Sequence, residues 1–328
     1  MIDLDELKSN VRSDDFDIRA RAVAVLSTVQ SDPAFEILIE VAKNPREESE
    51  IRLAALSALS NAGNAGWIID QMLSFLQDNR TNHEEYAIYP YVIDVIGKTK
   101  ITAVLDLLLS LLGHEEVDVC KAAAAALVQI GESAVPALLD MLSDDDLSKQ
   151  IKRYLVDVLQ RIGDHRMYPA LEAILKDAQE DAYVKWKAAQ ALGQSGEDHA
   201  LDLLVGAYRD PSQDELVRRG AIIGLGRTRR AEEIHILITA LETESRGIRW
   251  DAAKALANFT NPTVVIALQK ALDDPDDQVV ACAAEALGVV GNRSVVPALE
   301  RVLQRVHNIE LPSRDAIRYA IQRIRDRS

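Results

Sequence analysis

Apolar residues recur along this chain at helical spacing, and the helical pattern itself recurs about every 31–34 residues from the N-terminus to the last fifty residues. Two copies read Asp181-Ala-Tyr-Val184-Lys185-Trp-Lys-Ala188-Ala189-Gln-Ala-Leu192 and Asp276-Asp-Gln-Val279-Val-Ala-Cys-Ala283-Ala284-Glu-Ala-Leu287. At 100° per residue, positions 0, +4, +8 and +11 of each copy fall on one face and are mostly apolar, so that face is expected to be buried. A repeat of this length predicts stacked helical hairpins. Each hairpin is too small to bury its own apolar face and depends on its neighbours.

The register is set by an apolar residue that opens each copy and an aliphatic residue eight positions later. The openings are Ile18, Ile51, Glu85, Val119, Ile151, Val184, Val217, Ile248 and Val279, and Glu85 alone breaks the apolar rule. The partners are Leu26, Leu59, Ile93, Leu127, Leu159, Leu192, Leu225, Leu256 and Leu287. Three residues before each opening stands Asp15, Glu48, Asn82, Glu116, Ser148, Asp181, Asp214, Ser245 or Asp276, residues that suit a helix N-terminus. Gly63, Gly97, Gly131, Gly163, Gly196 and Gly291 follow the aliphatic position by four residues, where glycine can end a helix in the left-handed conformation. Gln30, Arg229 and Thr260 take that place elsewhere. A second helix then follows, as in Ser133-Ala-Val-Pro136-Ala-Leu-Leu and Ser294-Val-Val-Pro297-Ala-Leu-Glu, with Pro in the first turn.

Composition agrees with close helix packing: apolar residues make up 48% of the 328 residues and aromatic ones only 5%. The net charge of −15 opposes wholesale binding to nucleic acid or to an anionic membrane, while leaving room for a local basic patch. Cys120 and Cys282 form no metal-binding or disulfide pattern. The charged start Met1-Ile-Asp-Leu-Asp-Glu has no apolar leader, and the apolar runs read as too short to span a bilayer. The expectation is a cytoplasmic protein with no membrane association.

The Ile18-Arg19, Ile51-Arg52, Ile151-Lys152, Val184-Lys185, Val217-Arg218 and Ile248-Arg249 pairs, followed by Ala-Ala and Leu, resemble HEAT repeats. The likeness is to the short bacterial-type repeat of the phycobilin lyases, and it covers roughly residues 12–305. It implies an all-α fold: a right-handed α-solenoid of about nine stacked HEAT-like hairpins plus a C-terminal capping helix, in a single domain over residues 1–328. The repeat at about 80–112 is irregular, with Ile88-Tyr89-Pro90-Tyr91 where others have Ala-Ala, and Pro90 should kink or restart its helix. A drifted repeat is favoured there over a contact site built from Tyr86, Tyr89 and Tyr91. The basic amphipathic segment at about 312–328 is expected to cap the stack.

The resemblance also implies that the first helix of each hairpin lines the concave surface, so positions +2, +3, +6 and +10 should line a groove. In the first four repeats these positions are mostly small. Repeat five gives Arg153, Tyr154, Asp157 and Arg161. Repeat six gives Trp186, Lys187, Gln190 and Gln194, and repeat seven Arg219, Gly220, Ile223 and Arg227. Repeat eight gives Trp250, Asp251, Lys254 and Asn258. Arg153, Trp186, Arg219 and Trp250 share the +2 position, and Trp and Arg are the residues most enriched at binding hot spots. The candidate partner-binding set is therefore Arg153, Tyr154, Asp157, Arg161, Trp186, Lys187, Gln190, Arg219, Arg227, Trp250, Asp251 and Lys254. Neutralisation of Arg and Lys by Asp157 and Asp251, with Trp merely filling space, is the competing structural reading.

No Ser-His-Asp set, phosphate loop or dinucleotide fingerprint is present. A di-iron hydroxylase within the same family needs His-Glu pairs at +2/+3, whereas His83-Glu84 and His114-Glu115 precede their helices in loops. No catalytic residue, metal site or cofactor is expected. The expected function is a protein-binding scaffold whose groove takes an acidic or mixed aromatic/acidic partner. The alternatives are a lyase-like protein handling an anionic bilin, with Cys282 bordering the groove either reactive or simply buried, and, less favoured on net charge, a HEAT-like DNA glycosylase.

Overall fold

The computed structural model describes residues 3–60, 66–78, 82–144, 146–305 and 312–327; the expected helix end at Gly63 and the last residue of the cap, Ser328, lie outside them. The described residues are helical, without strands. The chain divides into two compact units, Met1–Asp164 and His165–Ser328.

The N-terminal unit contains α1 (Leu4–Asn10), α2 (Phe16–Leu26), α3 (Asp32–Lys43), α4 (Ser49–Leu59), α5 (Gly66–Asp78), α6 (Tyr89–Lys98), α7 (Leu105–Leu111), α8 (Val117–Ile130), α9 (Val135–Leu142) and α10 (Lys149–Ile162). The C-terminal unit contains α11 (Tyr168–Lys176), α12 (Ala182–Leu192), α13 (Asp198–Arg209), α14 (Glu215–Thr228), α15 (Ile234–Thr243), α16 (Arg246–Leu256), α17 (Pro262–Ala271), α18 (Asp277–Val290), α19 (Val296–Arg305) and α20 (Pro312–Asp326). Within each unit the even-numbered helices pack on one another as one layer and the odd-numbered helices pack behind them. The even helices from α2 to α18 are the repeat-opening helices of the sequence register, and α20 is the expected cap.

Their starts follow the caps. Asp15, Ser148, Asp181, Asp214, Ser245 and Asp276 each accept backbone N–H bonds from the first turn. Glu48 and Glu116 occupy the same position without a side-chain cap bond. Positions 0, +4 and +8 enclose the core: Val184, Ala188, Leu192, Val217, Ala221 and Leu225 are buried. Ile18 departs from that rule, standing 40% exposed in the first repeat. Glu85 obeys the burial rule despite its charge. It is buried because Arg52, also buried, donates two bonds to its carboxylate, at 2.5 and 3.2 Å.

The glycines end helices less uniformly than their spacing suggests. Gly131, Gly163 and Gly196 take positive φ. Gly97 lies inside α6, where a Cβ would come within 2.7 Å of Ala126 Cβ, so it serves close helix packing instead. Gly291 ends α18 in extended backbone. Arg229 takes the left-handed conformation itself, at φ 55°.

The Arg of each Val/Ile-Arg pair holds neighbouring repeats together. Arg19 donates to Glu47 and Glu48 at 3.0 and 2.5 Å, and Arg218 donates to the Tyr208 carbonyl and to Glu244, both at 2.8 Å. Arg249 donates to the Glu244 carbonyl at 2.9 Å and grips both oxygens of Asp274. The planar guanidinium suits this role because it reaches a carbonyl and a carboxylate at once.

Pro90 restarts its helix rather than kinking it: α6 begins at Tyr89, after a 3₁₀ turn over His83–Glu85. The His83-Glu84 pair therefore belongs to that turn, not to a loop. Tyr86 and Tyr89 are buried, Tyr89 donating to the Leu76 carbonyl at 3.1 Å, while Tyr91 alone of the three is exposed. One stretch, Val117–Leu142, is by composition long and apolar enough to cross a membrane, contrary to the sequence reading of the apolar runs. It is not one rod: a 3₁₀ turn at Gly131–Ala134 divides it into α8 and α9, whose apolar residues lie largely in the core. At the C-terminus, α20 buries Ala316, Ile317, Ala320, Ile321 and Ile324, and packs on α18. Arg327 donates to the Gly288 and Val289 carbonyls at the end of α18, the cap that a terminal helix requires.

Candidate functional site

Trp186, Lys187 and Gln190 stand on α12, Arg219 and Arg227 on α14, and Trp250, Asp251 and Lys254 on α16, all in the even-helix layer of the C-terminal unit. The helices of that layer approach closely because small residues separate them. A Cβ at Gly220 would lie 2.7 Å from the Trp186 carbonyl and 2.9 Å from its ring, and one at Gly226 2.5 Å from Ala255 Cβ. Close approach has a consequence for the candidate set. Gln190 and Asp251 are buried between helices, whereas Trp186, Lys187, Arg219, Arg227 and Trp250 are half-buried and Lys254 is exposed.

Around Trp250 the candidates meet. Arg219 Nε donates to Asp251 Oδ2 at 2.6 Å, and its Cζ lies 5.8 Å from the centre of the Trp250 ring. Lys254 Nζ lies 4.6 Å from the same ring and forms no ion pair among the described residues. Two cations thus lie within reach of one aromatic ring, the attraction arising from the ring quadrupole. Asp251, the carboxylate beside Arg219, is buried and already engaged by it.

Around Trp186 the pattern is similar but drier. Tyr183 packs at 4.9 Å and Lys187 Nζ lies 5.4 Å from the ring centre. Arg227 reaches back from α14 to donate to the Gln190 carbonyl at 3.0 Å and to Gln190 Oε1 at 3.4 Å. These acceptors are neutral, and burial pulls the guanidinium down from its ordinary value. The competing reading, in which acids neutralise the stripe, holds for Arg219 and not for Arg227 or Lys254.

The repeat-five candidates belong to the N-terminal unit. Arg153, Tyr154 and Asp157 are half-buried on α10 and Arg161 is exposed. The Tyr154 hydroxyl reaches Cys120, whose buried thiol donates to the His114 carbonyl at 3.1 Å.

Sequence reading missed a pocket of ≈ 520 Å³ at the end of the same layer, where α16, α18 and α20 meet. Cys282 lies there, buried, with its thiol pushed up to about 11 chiefly by that burial. It is a packed thiol rather than a nucleophile. The available signal was Val289, an aliphatic residue at the +10 position of repeat nine. No group of three or more His, Cys, Asp or Glu side chains among the described residues is placed to hold a metal ion.

The chain belongs to the HEAT-repeat family: the family model for HEAT repeats matches residues 73–149, 145–216, 208–288 and 237–321. Among solved structures, it is similar to Kap121p at 13% identity and a TM-score of 0.61, covering 98% of this chain and 41% of that one. It is similar also to Kap95p in its complex with RanGDP, at 12% identity and a TM-score of 0.57, covering 99% and 50%. The chain thus spans half or less of the karyopherins it resembles, and at these identities the likeness is one of fold, the α-solenoid. The complex of CpcE and CpcF of phycocyanin lyase from Nostoc sp. PCC7120 matches at 26% identity and a TM-score of 0.42, over 47% of this chain and 99% of that one. No curated protein matches the chain.

Proposed function

We propose that this HEAT-repeat protein is a non-enzymatic scaffold, and that the even-helix face of its C-terminal unit, the face read as concave in the sequence, docks an acidic segment of a protein partner. One observation carries the reading. Lys254 is exposed over Trp250 without an ion pair among the described residues, while the neighbouring Asp251 carboxylate is buried and taken by Arg219. An incoming carboxylate finds there a cation that holds no ion pair among the described residues and an aromatic surface beside it, and such Trp-and-cation clusters supply binding energy and orientation together. Arg227, with only neutral acceptors, adds positive potential to the same layer. The fold carries protein partners elsewhere: Kap121p is solved bound to Nup53p and to Pho4p. Arg153, Tyr154, Asp157 and Arg161, on α10 of the N-terminal unit, are proposed as partner-binding residues of that unit.

Tryptophan fluorescence tests this directly. A Glu-rich synthetic peptide is titrated against the wild type and against Lys254→Gln, beside its Gln-for-Glu counterpart and a double-stranded DNA of equal charge. The reading expects salt-sensitive quenching by the acidic peptide, weakened about tenfold in Lys254→Gln. Equal binding of acidic and neutral peptides, or preference for DNA, overturns it.

A further inference from the structure

The capping helix does more than close the stack. Lys254 on α16, Cys282, Ala286 and Val289 on α18, and Ala316 and Tyr319 on α20 line the ≈ 520 Å³ pocket. Its small residues give it depth. Its walls are two large apolar side chains left open to solvent, Val289 at 36% and Tyr319 at 64% exposure. Both carry apolar surface that the folded chain does not cover, at one place. Arg323 and Lys254 bring positive charge to its edge, and Glu285 and Asp315 bring negative charge. Lys254 is shared: it lines this pocket and lies over Trp250, so the pocket opens onto the docking face described above.

We propose that this pocket is the anchor site of that face, taking one bulky apolar side chain, aromatic or Leu-like, from a partner segment whose acidic residues lie against Lys254 and Trp250. The proposal rests on the docking reading. Interfaces concentrate their energy where a large side chain fills a desolvated pocket ringed by polar groups. Apolar walls and a mixed polar rim of this kind suit such an anchor better than a charged one, because a buried unpaired charge is costly. The continuity through Lys254 fixes the order of the partner's chemistry: the apolar anchor toward α20, the carboxylates toward α14 and α16. The apolar face that α20 turns to α18 caps the stack, while Tyr319 and Arg323 at the edge of that face, beside Ala316, complete the pocket.

The test uses four fluorescein-labelled synthetic peptides of one length, in which a central residue is Phe or Ala and a flanking pair is Glu or Gln. Binding to the full chain is read by anisotropy. Wild type is expected to prefer Phe over Ala by about tenfold and Glu over Gln by a similar factor. Tyr319→Ala and Val289→Glu, both at exposed positions and checked for unchanged melting, should abolish the Phe preference and keep the Glu preference. Lys254→Gln should do the reverse. A Glu preference without a Phe preference overturns the anchor pocket and leaves the docking face standing. A Phe preference that survives both pocket variants overturns it too. A Phe preference sensitive to the pocket variants but without a Glu preference upholds the pocket and overturns the acidic reading. Absence of both preferences overturns both.

Discussion

Arg219 and Asp251, 32 residues apart, meet at 2.6 Å between α14 and α16, and the carboxylate is the more deeply buried of the two. The guanidinium that the sequence offers as a free hot spot is therefore partly a structural group. Asp251→Ala leaves a half-buried guanidinium without its partner and is expected to cost about 2 kcal/mol in denaturant unfolding, below the usual figure for a fully buried pair because Arg219 retains some solvent. Arg219→Glu, which sets a like charge against Asp251, should destabilise at least as much. It is accordingly a poor probe of binding, and Lys254→Gln a clean one.

Arg52 and Glu85 form the more buried pair. Glu85→Ala should lower stability by about 3 kcal/mol. The double variant Arg52→Met with Glu85→Leu should recover most of that loss, because two apolar groups need no mutual charge. A double variant as unstable as the single one would show that the bond from Arg52 to the Ala42 carbonyl, at 3.0 Å, matters more than the ion pair.

Two glycines of the C-terminal unit should respond in opposite directions to alanine. At Gly193 a Cβ would lie 2.1 Å from the Gly224 carbonyl oxygen, so Gly193→Ala forces α12 and α14 apart and should cost about 2 kcal/mol or more. At Gly206, inside α13, a Cβ meets nothing within 4 Å. Gly206→Ala should stabilise by about 0.5–1 kcal/mol through helix propensity. Thermal melts of the two variants decide both signs.

Glu233 is buried, with Oε2 unpartnered, and burial raises its pKa above the ordinary 4.5. A raised carboxyl means that the folded state holds the proton more tightly than the unfolded chain. Stability is therefore fuller below the ordinary value and declines as pH rises through the raised one. Glu233→Gln should stabilise by about 1 kcal/mol at neutral pH, and the gain should vanish at pH below 4.5. A gain that does not vary with pH would remove the charge from the explanation.

The helices, their starts and their packing order were legible because the caps and the apolar period are local. Asp181 accepts the Tyr183 and Val184 N–H bonds that its spacing predicts. Glycine roles were legible only in part: Gly163 ends a helix, but Gly97 serves a contact with Ala126, set by a different repeat. The face of Trp186 and Trp250 follows from the helix wheel, whereas the burial of Gln190 and Asp251 depends on how near the next helix comes. That distance is fixed by Gly220 and Gly226 on a neighbouring helix. The pocket depended on where α20 packs, which no repeat encodes.

The arginine clamps imply mechanics as well as stability. Arg19, Arg52, Arg218 and Arg249 tie their helices to acids 25–33 residues further along the chain. The +1 position of α8 holds Cys120 instead, whose thiol donates back to the His114 carbonyl and meets forward only the neutral Tyr154 hydroxyl, not an acid. Under tension, a chain of unequal links yields at its weakest. In a single-molecule pull, the N-terminal unit should part first beyond α8, and Cys120→Arg, paired with a forward acid, would move the breaking point elsewhere.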